Sequence, residues 1–386
     1  MLRYFQNNPL GKHRLVSGPP FRRQTPAGVK PVGNADGVAL VMVLWVIVIL
    51  TVIVGEFSAV ARSQLLLAGN FKEKTQAHYL AVSGLEQALY AMATDRDFFS
   101  FHQPLTADTP ADVHRWRVNG DNPLFQYGAG LFKVRIDNMA GKVNINRADR
   151  RLLRIIVDGL DIDAQQKDVI VDAIMDWRDV DSAHRINGAE DDYYRDLGTD
   201  YLCKDGDFDT VDELRLVRGV TPELFDKLEP VFCVYPKNDD PTLLKSVVKK
   251  TAGADTDWNR INVNAATPEM WARLPGMTAD DIDAVIDYRR DADFRSLSEL
   301  APVISADAYS RVRPYLTLTS SPWFLISAVG ATDGSRLVAG LTATVVKADV
   351  SGQTGDGFHI VEQRSSANGR LVARFRHQRE VLESVH

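Results

Sequence analysis

The sequence predicts an α+β fold: one long N-terminal helix packed on an antiparallel sheet, with an all-α block inserted between two strands of that sheet. Three observations lead there. Residues 38–55 read VALVMVLWVIVILTVIVG without a charge, and helical spacing continues beyond them. Alternating segments occur near residue 131 and again after residue 314. Between them, about 150 residues carry helical patterns and a phrase that occurs twice.

The chain has 386 residues, 45% of them hydrophobic, and a net charge of −6. That length suffices for two or three domains, and the overall charge attracts neither nucleic acid nor an anionic membrane surface. The uncharged run is long enough to span a bilayer. Ahead of it, residues 1–37 are proline-rich and basic, with Arg3, Lys12, Arg14, Arg22, Arg23 and Lys30 against Asp36 alone. Basic flanks stay in the cytoplasm, which directs the bulk of the chain outward. A secretory signal cleaved near Ala61 is the competing reading. Against it, the sequence continues to about Ala93 without proline, with Ala77, Ala81, Leu85, Ala88 and Met92 near helical spacing. A helix over 38–93 would be about 84 Å long at 1.5 Å per residue.

Further along, Leu131 to Ile136 alternates as a strand does and leads into Lys142-Val143-Asn144-Ile145-Asn146. The phrase returns as Arg260-Ile261-Asn262-Val263-Asn264, and each copy precedes a helical pattern. After Pro314, residues 323–329 and 337–346 flank Asp333-Gly334, a hairpin signal. Residues 358–362 and 371–375 flank Asn368-Gly369 and predict a second hairpin.

A basic leader ending in glycine, an uncharged run and a long amphipathic helix together resemble type IV pilin and pseudopilin precursors. The resemblance implies cleavage between Gly37 and Val38 by a prepilin peptidase, N-methylation of Val38, and a pilin-like body. Most of that family has Glu at the fifth mature position; here it is Met42. The body narrows the resemblance. Asp176-Trp177-Arg178-Asp179-Val180-Asp181, then Asn187-Gly188-Ala189-Glu190-Asp191-Asp192-Tyr193-Tyr194, then Asp212-Glu213-Leu214-Arg215 are similar to the minor pseudopilin K family of type II secretion systems. That implies a single-pass inner-membrane protein with a periplasmic bulk, placed at the pseudopilus tip with minor pseudopilins I and J. Other pseudopilins and the secreted proteins would be further partners. The expected parts are a leader (1–37), the N-terminal helix (38–93), a first body segment (94–146), a helical insert of helix-hairpin-helix or SAM-like repeats (147–312) and C-terminal strands (313–386). Met42 and the small-residue stripe Ala77, Ala81 and Ala88 are expected to meet partner helices, since small residues allow close approach.

Two local sites follow. Residues 161–200 hold twelve acids against four Lys/Arg. Within them Asp179, Asp181 and Glu190 have the spacing of positions 1, 3 and 12 of a calcium loop, with Asp191 adjoining. Ala183 and His184 stand where such a loop needs a ligand and a glycine, so the pattern is incomplete. Hard Ca²⁺ suits clustered carboxylates outside the cytoplasm, and the K family is associated with bound calcium. Cys203 and Cys233 permit one disulfide in that compartment; two buried free thiols are the alternative. The hairpin Leu274-Pro275-Gly276-Met277 also resembles DNA-gripping modules, and a membrane-anchored DNA receptor is the runner-up function. Residues 251–300 hold ten acids against five arginines, which repels phosphate. The sequence has no HExxH, GxSxG or phosphate loop, so no enzyme is expected.

Overall fold

The computed structural model describes residues 36–95, 98–99, 116–236, 257–349, 356–365 and 369–385. The basic leader falls outside them, apart from Asp36 and Gly37. The chain divides into two compact units, residues 1–66 and 67–386. The first contains the opening of α1 (Asp36–Thr94). Its apolar side chains from Val38 to Val54 lie exposed, Met42 at 63%. This helix is long and apolar enough to cross a membrane.

In the second unit, residues 67–94 of α1 lie on a five-stranded antiparallel sheet. Its strands are β1 (Leu124–Tyr127), β2 (Gly130–Asn138), β7 (Trp323–Thr332), β8 (Ala339–Asp349) and β9 (Asp356–Arg364), in the order β1-β2-β7-β8-β9. Period-two alternation puts Phe132, Val134, Ile136, Phe324, Ile326, Leu341 and Ala343 into one core with Ala81, Leu85, Ala88 and Met92. The alanine stripe is therefore spent inside the molecule. Ala77, Ala81 and Ala88 are each 0% exposed, which corrects their assignment to partner contacts. Their small size brings helix and sheet together. A Cβ added at Gly330 would stand 2.6 Å from the Ala77 carbonyl oxygen and 2.7 Å from the Ala81 nitrogen.

The expected hairpin at Asp333-Gly334 joins β7 to β8, with Gly334 at φ +71. The second expected hairpin is not formed. Residues 371–375 belong to α9 (Gly369–Val385), which sets Leu371 and Phe375 on Val329 and Ala331 across the opposite sheet face. A short apolar segment satisfies both periods, and the i,i+4 pair Leu371/Phe375 is the one the sheet selects.

Strands β2 and β7 pair over nine positions, from Gly130↔Thr332 to Asn138↔Phe324. The described residues between Asn138 and Trp323 form the helical insert. It holds two copies of one frame. The first comprises β3 (Val143–Asn144), α2 (Arg150–Asp158), α3 (Ala164–Arg178), α4 (Asp191–Asp196), α5 (Pro222–Leu228) and β4 (Phe232–Cys233). The second comprises β5 (Ile261–Asn262), α6 (Pro268–Trp271), α7 (Ala279–Asp291), α8 (Ala306–Val312) and β6 (Leu316–Thr317). In each copy the first and last strands pair in parallel. Ile145, Leu153, Phe208, Ile261, Trp271 and Leu316 share one core, so the short terminal strands belong with the helices. Apart from α4, the helices begin where side chains accept backbone N–H groups: Asp149, Asp163 and Thr221 in the first copy, Thr267, Thr278 and Ser305 in the second. Polar ties hold the insert to the sheet unit. Tyr235 Oη donates to Glu362 at 2.7 Å, and Arg117 Nη1 donates to the Arg290 carbonyl at 2.8 Å.

Candidate functional site

The repeated phrase Asn-x-Asn is a hydrogen-bond device. In the first copy the Asn146 side chain donates to the Phe208 carbonyl at 3.0 Å and accepts the Phe208 N–H at 2.8 Å. Asn264 does the same with Phe294, at 2.9 and 2.8 Å. An arginine near the end of the second long helix then clasps the loop. Arg178 donates to the Ile145 and Ala148 carbonyls, and Arg289 to the Asn264 and Ala266 carbonyls. Burial pulls both guanidiniums down to about 10. The sequence showed the phrase but not its partners. A signal was present: FDTVDE at 208–213 and FRSLSE at 294–299 share a Phe-x4-Glu pattern. Glu213 accepts the Asp209 N–H at 2.8 Å, and Glu299 accepts the Arg295 N–H at 2.8 Å.

The copies differ between that arginine and that phenylalanine. The second has residues 290–293 there; the first has residues 179–207, most of the acidic segment. Its centre is Asp176, 0% exposed, whose carboxylate accepts from the Arg185 backbone and guanidinium. Gly188 is forced by this packing, because a Cβ there would stand 1.7 Å from Asp176 Oδ2. Trp177, Tyr194, Tyr201 and Phe208 close the core beneath the loop, with Trp177 and Tyr194 edge to face at 5.5 Å.

Glu190, Cys203 and Asp205 offer ligand atoms within 4.8 Å of one another. Glu190 is 3% exposed, and its Oε1 has no hydrogen-bond partner among the described residues. Burial first, then the nearby Asp176 charge, push Glu190 up to about 7. An orphaned buried carboxylate oxygen beside a second carboxylate fits a hard cation. Cys203 does not: burial pushes its thiol up to about 12, and it contacts the Asp176 and Ala189 carbonyl oxygens at 3.7 Å. Of the four expected ligands, Glu190 alone belongs to this group. Asp179 pairs with Arg185 at 2.6 Å, and its other oxygen is buried without a hydrogen-bond partner among the described residues. Asp181 accepts the Ala183 N–H at 3.0 Å, and Asp191 accepts the Cys203 N–H at 3.1 Å. The permitted bridge is absent, since Cys203 and Cys233 are both buried and free.

The model for "Type II secretion system (T2SS), protein K" matches residues 134–237, which include the second half of β2 and the whole first copy. The protein K of Aeromonas hydrophila is 25% identical over 268 residues, covering 64% of this chain and 72% of that one. That of Klebsiella pneumoniae is 21% identical over 306 residues, covering 75% and 84%. By these matches the chain is similar to the type II secretion system protein K family. The matches support a minor pseudopilin and give no support to the DNA-receptor alternative. The protein K of Dickeya chrysanthemi is 36% identical over 142 residues, 36% of this chain and 34% of that one. Among solved structures, the GspK-GspI-GspJ complex from enterotoxigenic Escherichia coli matches with a TM-score of 0.44 and 15% identity, covering 80% of this chain and 99% of that chain.

Proposed function

We propose that this minor pseudopilin caps the periplasmic pseudopilus together with minor pseudopilins I and J, and is needed for export of folded proteins. The observation that carries this is the helical insert between two directly paired strands, β2 and β7. Its bulk leaves the sheet register intact yet would obstruct a subunit stacked above it. Met42 adds to the argument, because the position lacks the carboxylate that would answer a neighbour's amine. With Ala77, Ala81 and Ala88 buried, partner helices would meet the open face of α1, where Tyr79 is 64% and Tyr90 71% exposed. Its role is structural, not catalytic. We read the insert as helix-hairpin-helix repeats whose acidic surface serves packing instead of DNA.

In this reading a prepilin peptidase cuts between Gly37 and Val38, Val38 is N-methylated, the leader is cytoplasmic and the bulk periplasmic. Calcium would be held by the Glu190 and Asp205 carboxylates and would neutralise that pair. Full-length chain co-expressed with I and J and extracted from membranes should yield a complex with one copy of each. Deleting the gene should stop secretion without lowering the major pseudopilin. Recovery along the whole filament, in numbers matching the major subunit, would overturn the tip assignment.

A further inference from the structure

Comparing the two copies isolates residues 179–207 as extra, and its first turn is built unlike a solvated loop. Residues 179–187 are pinned from several sides. Arg185 reaches the buried Asp176 and pairs with Asp179 at 2.6 Å. Asn187 Nδ2 donates to Asp172 at 3.1 Å, and Arg218 Nη1 donates to the Gly188 carbonyl at 2.8 Å. On this fixed frame Val180 is 86% exposed and Ile186 98% exposed. Outside α1, no other large apolar side chain among the described residues exceeds 57%. The Asp179–Arg185 pair ties together the neighbours of Val180 and Ile186, so both aliphatics stand on one closed loop.

A loop whose only task is closure has no use for two β-branched aliphatics in water. A rigid loop that presents them has already met the ordering cost that binding would otherwise impose. Apolar anchors on such a frame, set amid polar residues, are how binding hot spots are built. The surroundings specify the partner's charge. Residues 179–207 hold nine acids against three Lys/Arg, a net of −6. Asp181, Asp192, Asp196 and Asp200 among them are exposed. We infer that the 179–187 loop is a docking knob, and that Val180 and Ile186 enter an apolar socket rimmed by Lys and Arg on another folded protein. Opposite charge at the rim speeds encounter, and the two aliphatics hold the contact.

The inference rests on the pseudopilin reading for its cellular readout, and the test keeps the two apart. Full-length chain carrying Val180→Ser and Ile186→Ser is compared with wild type and with a gene deletion. A photo-crosslinking amino acid at 180 or 186 reports the contact in intact membranes. We expect the double variant to melt as wild type does, to enter the pseudopilus at the wild-type level, and to lower secretion about tenfold. Crosslinks should map to an apolar socket with flanking Lys/Arg, and their yield should fall with added salt. Asp192→Asn/Asp196→Asn/Asp200→Asn should slow their formation. Wild-type secretion in the double variant overturns the knob. So do crosslinks confined to lipid, to a second copy of this chain, or to an acidic surface. If the deletion itself leaves secretion intact, the pseudopilin reading fails, and the crosslink map alone decides the knob.

Discussion

The two copies of the insert frame solve one folding problem and differ in what they carry. Each closes its Asn loop with a phenylalanine backbone and clasps it with an arginine. In the second copy the arginine is Arg289, 8% exposed, and the chain turns at once into Phe294. In the first copy Arg178 is only half-buried, and the acidic segment intervenes before Phe208. The frame tolerates the longer connection because loop closure costs little per added residue, provided the segment builds its own core. Trp177, Tyr194 and Tyr201 supply that core. Folding duty is thus shared between the copies, while exposed apolar groups and orphaned carboxylate oxygens are gathered in the first.

Four measurements test this contrast between the copies. The largest effect is expected for Arg289→Met, which leaves two buried carbonyls without charged donors and should cost about 3 kcal/mol. Arg178→Met should cost about half of that, since water reaches its site; equal losses by urea unfolding would show that exposure does not separate the copies. Next, Gly188→Ala should cost about 2–3 kcal/mol, because the added carbon strikes the Asp176 carboxylate. A melt unchanged by it would mean that the loop is not packed as described.

The third concerns pH. Burial holds Glu190 at about 7 in the folded chain, above its ordinary 4.5. The folded form therefore keeps a proton that the unfolded form has lost, and the favourable contribution is complete below 4.5 and lost as pH rises through 7. In chelator, stability should fall across that window, and Glu190→Gln should flatten the fall by about 3 kcal/mol. Calcium should raise the melting temperature of wild type at pH 8 and leave the variant nearly unmoved. The same slope in the variant would remove Glu190 from the site. The smallest effect is expected for reductant. With Cys203 and Cys233 free, it should leave the melt unchanged, and the denatured, unreduced chain should alkylate at two thiols.

Much of this was legible beforehand where the signal is periodic and local. The long helix, the strand near residue 131 and the Asp333-Gly334 turn depend on neighbours a few residues apart. Leu371 to Phe375 was misread because five residues satisfy both periods and only the sheet beneath them chooses. The Asn-x-Asn repeat was visible, whereas its partners Phe208 and Phe294 lie 62 and 30 residues away. The four carboxylates expected to act together do not converge, for a related reason. Loop spacing assumes that neighbours in sequence converge, but Arg185 diverts Asp179, and the turn after Tyr201 brings Asp205 to Glu190.

Amino-acid order alone places a bilayer-length apolar helix after a basic leader, an alternating body beyond it, and a duplicated helical block within that body. Those properties are set by composition and period, which need no knowledge of distant contacts. The tertiary structure decided which small residues are already buried, which carboxylate oxygens are left without partners, and which aliphatics stand in water. Each of these depends on what packs opposite a side chain, and the opposing residue comes from elsewhere in the chain: Gly330 against Ala77, Asp176 against Gly188, and water against Ile186.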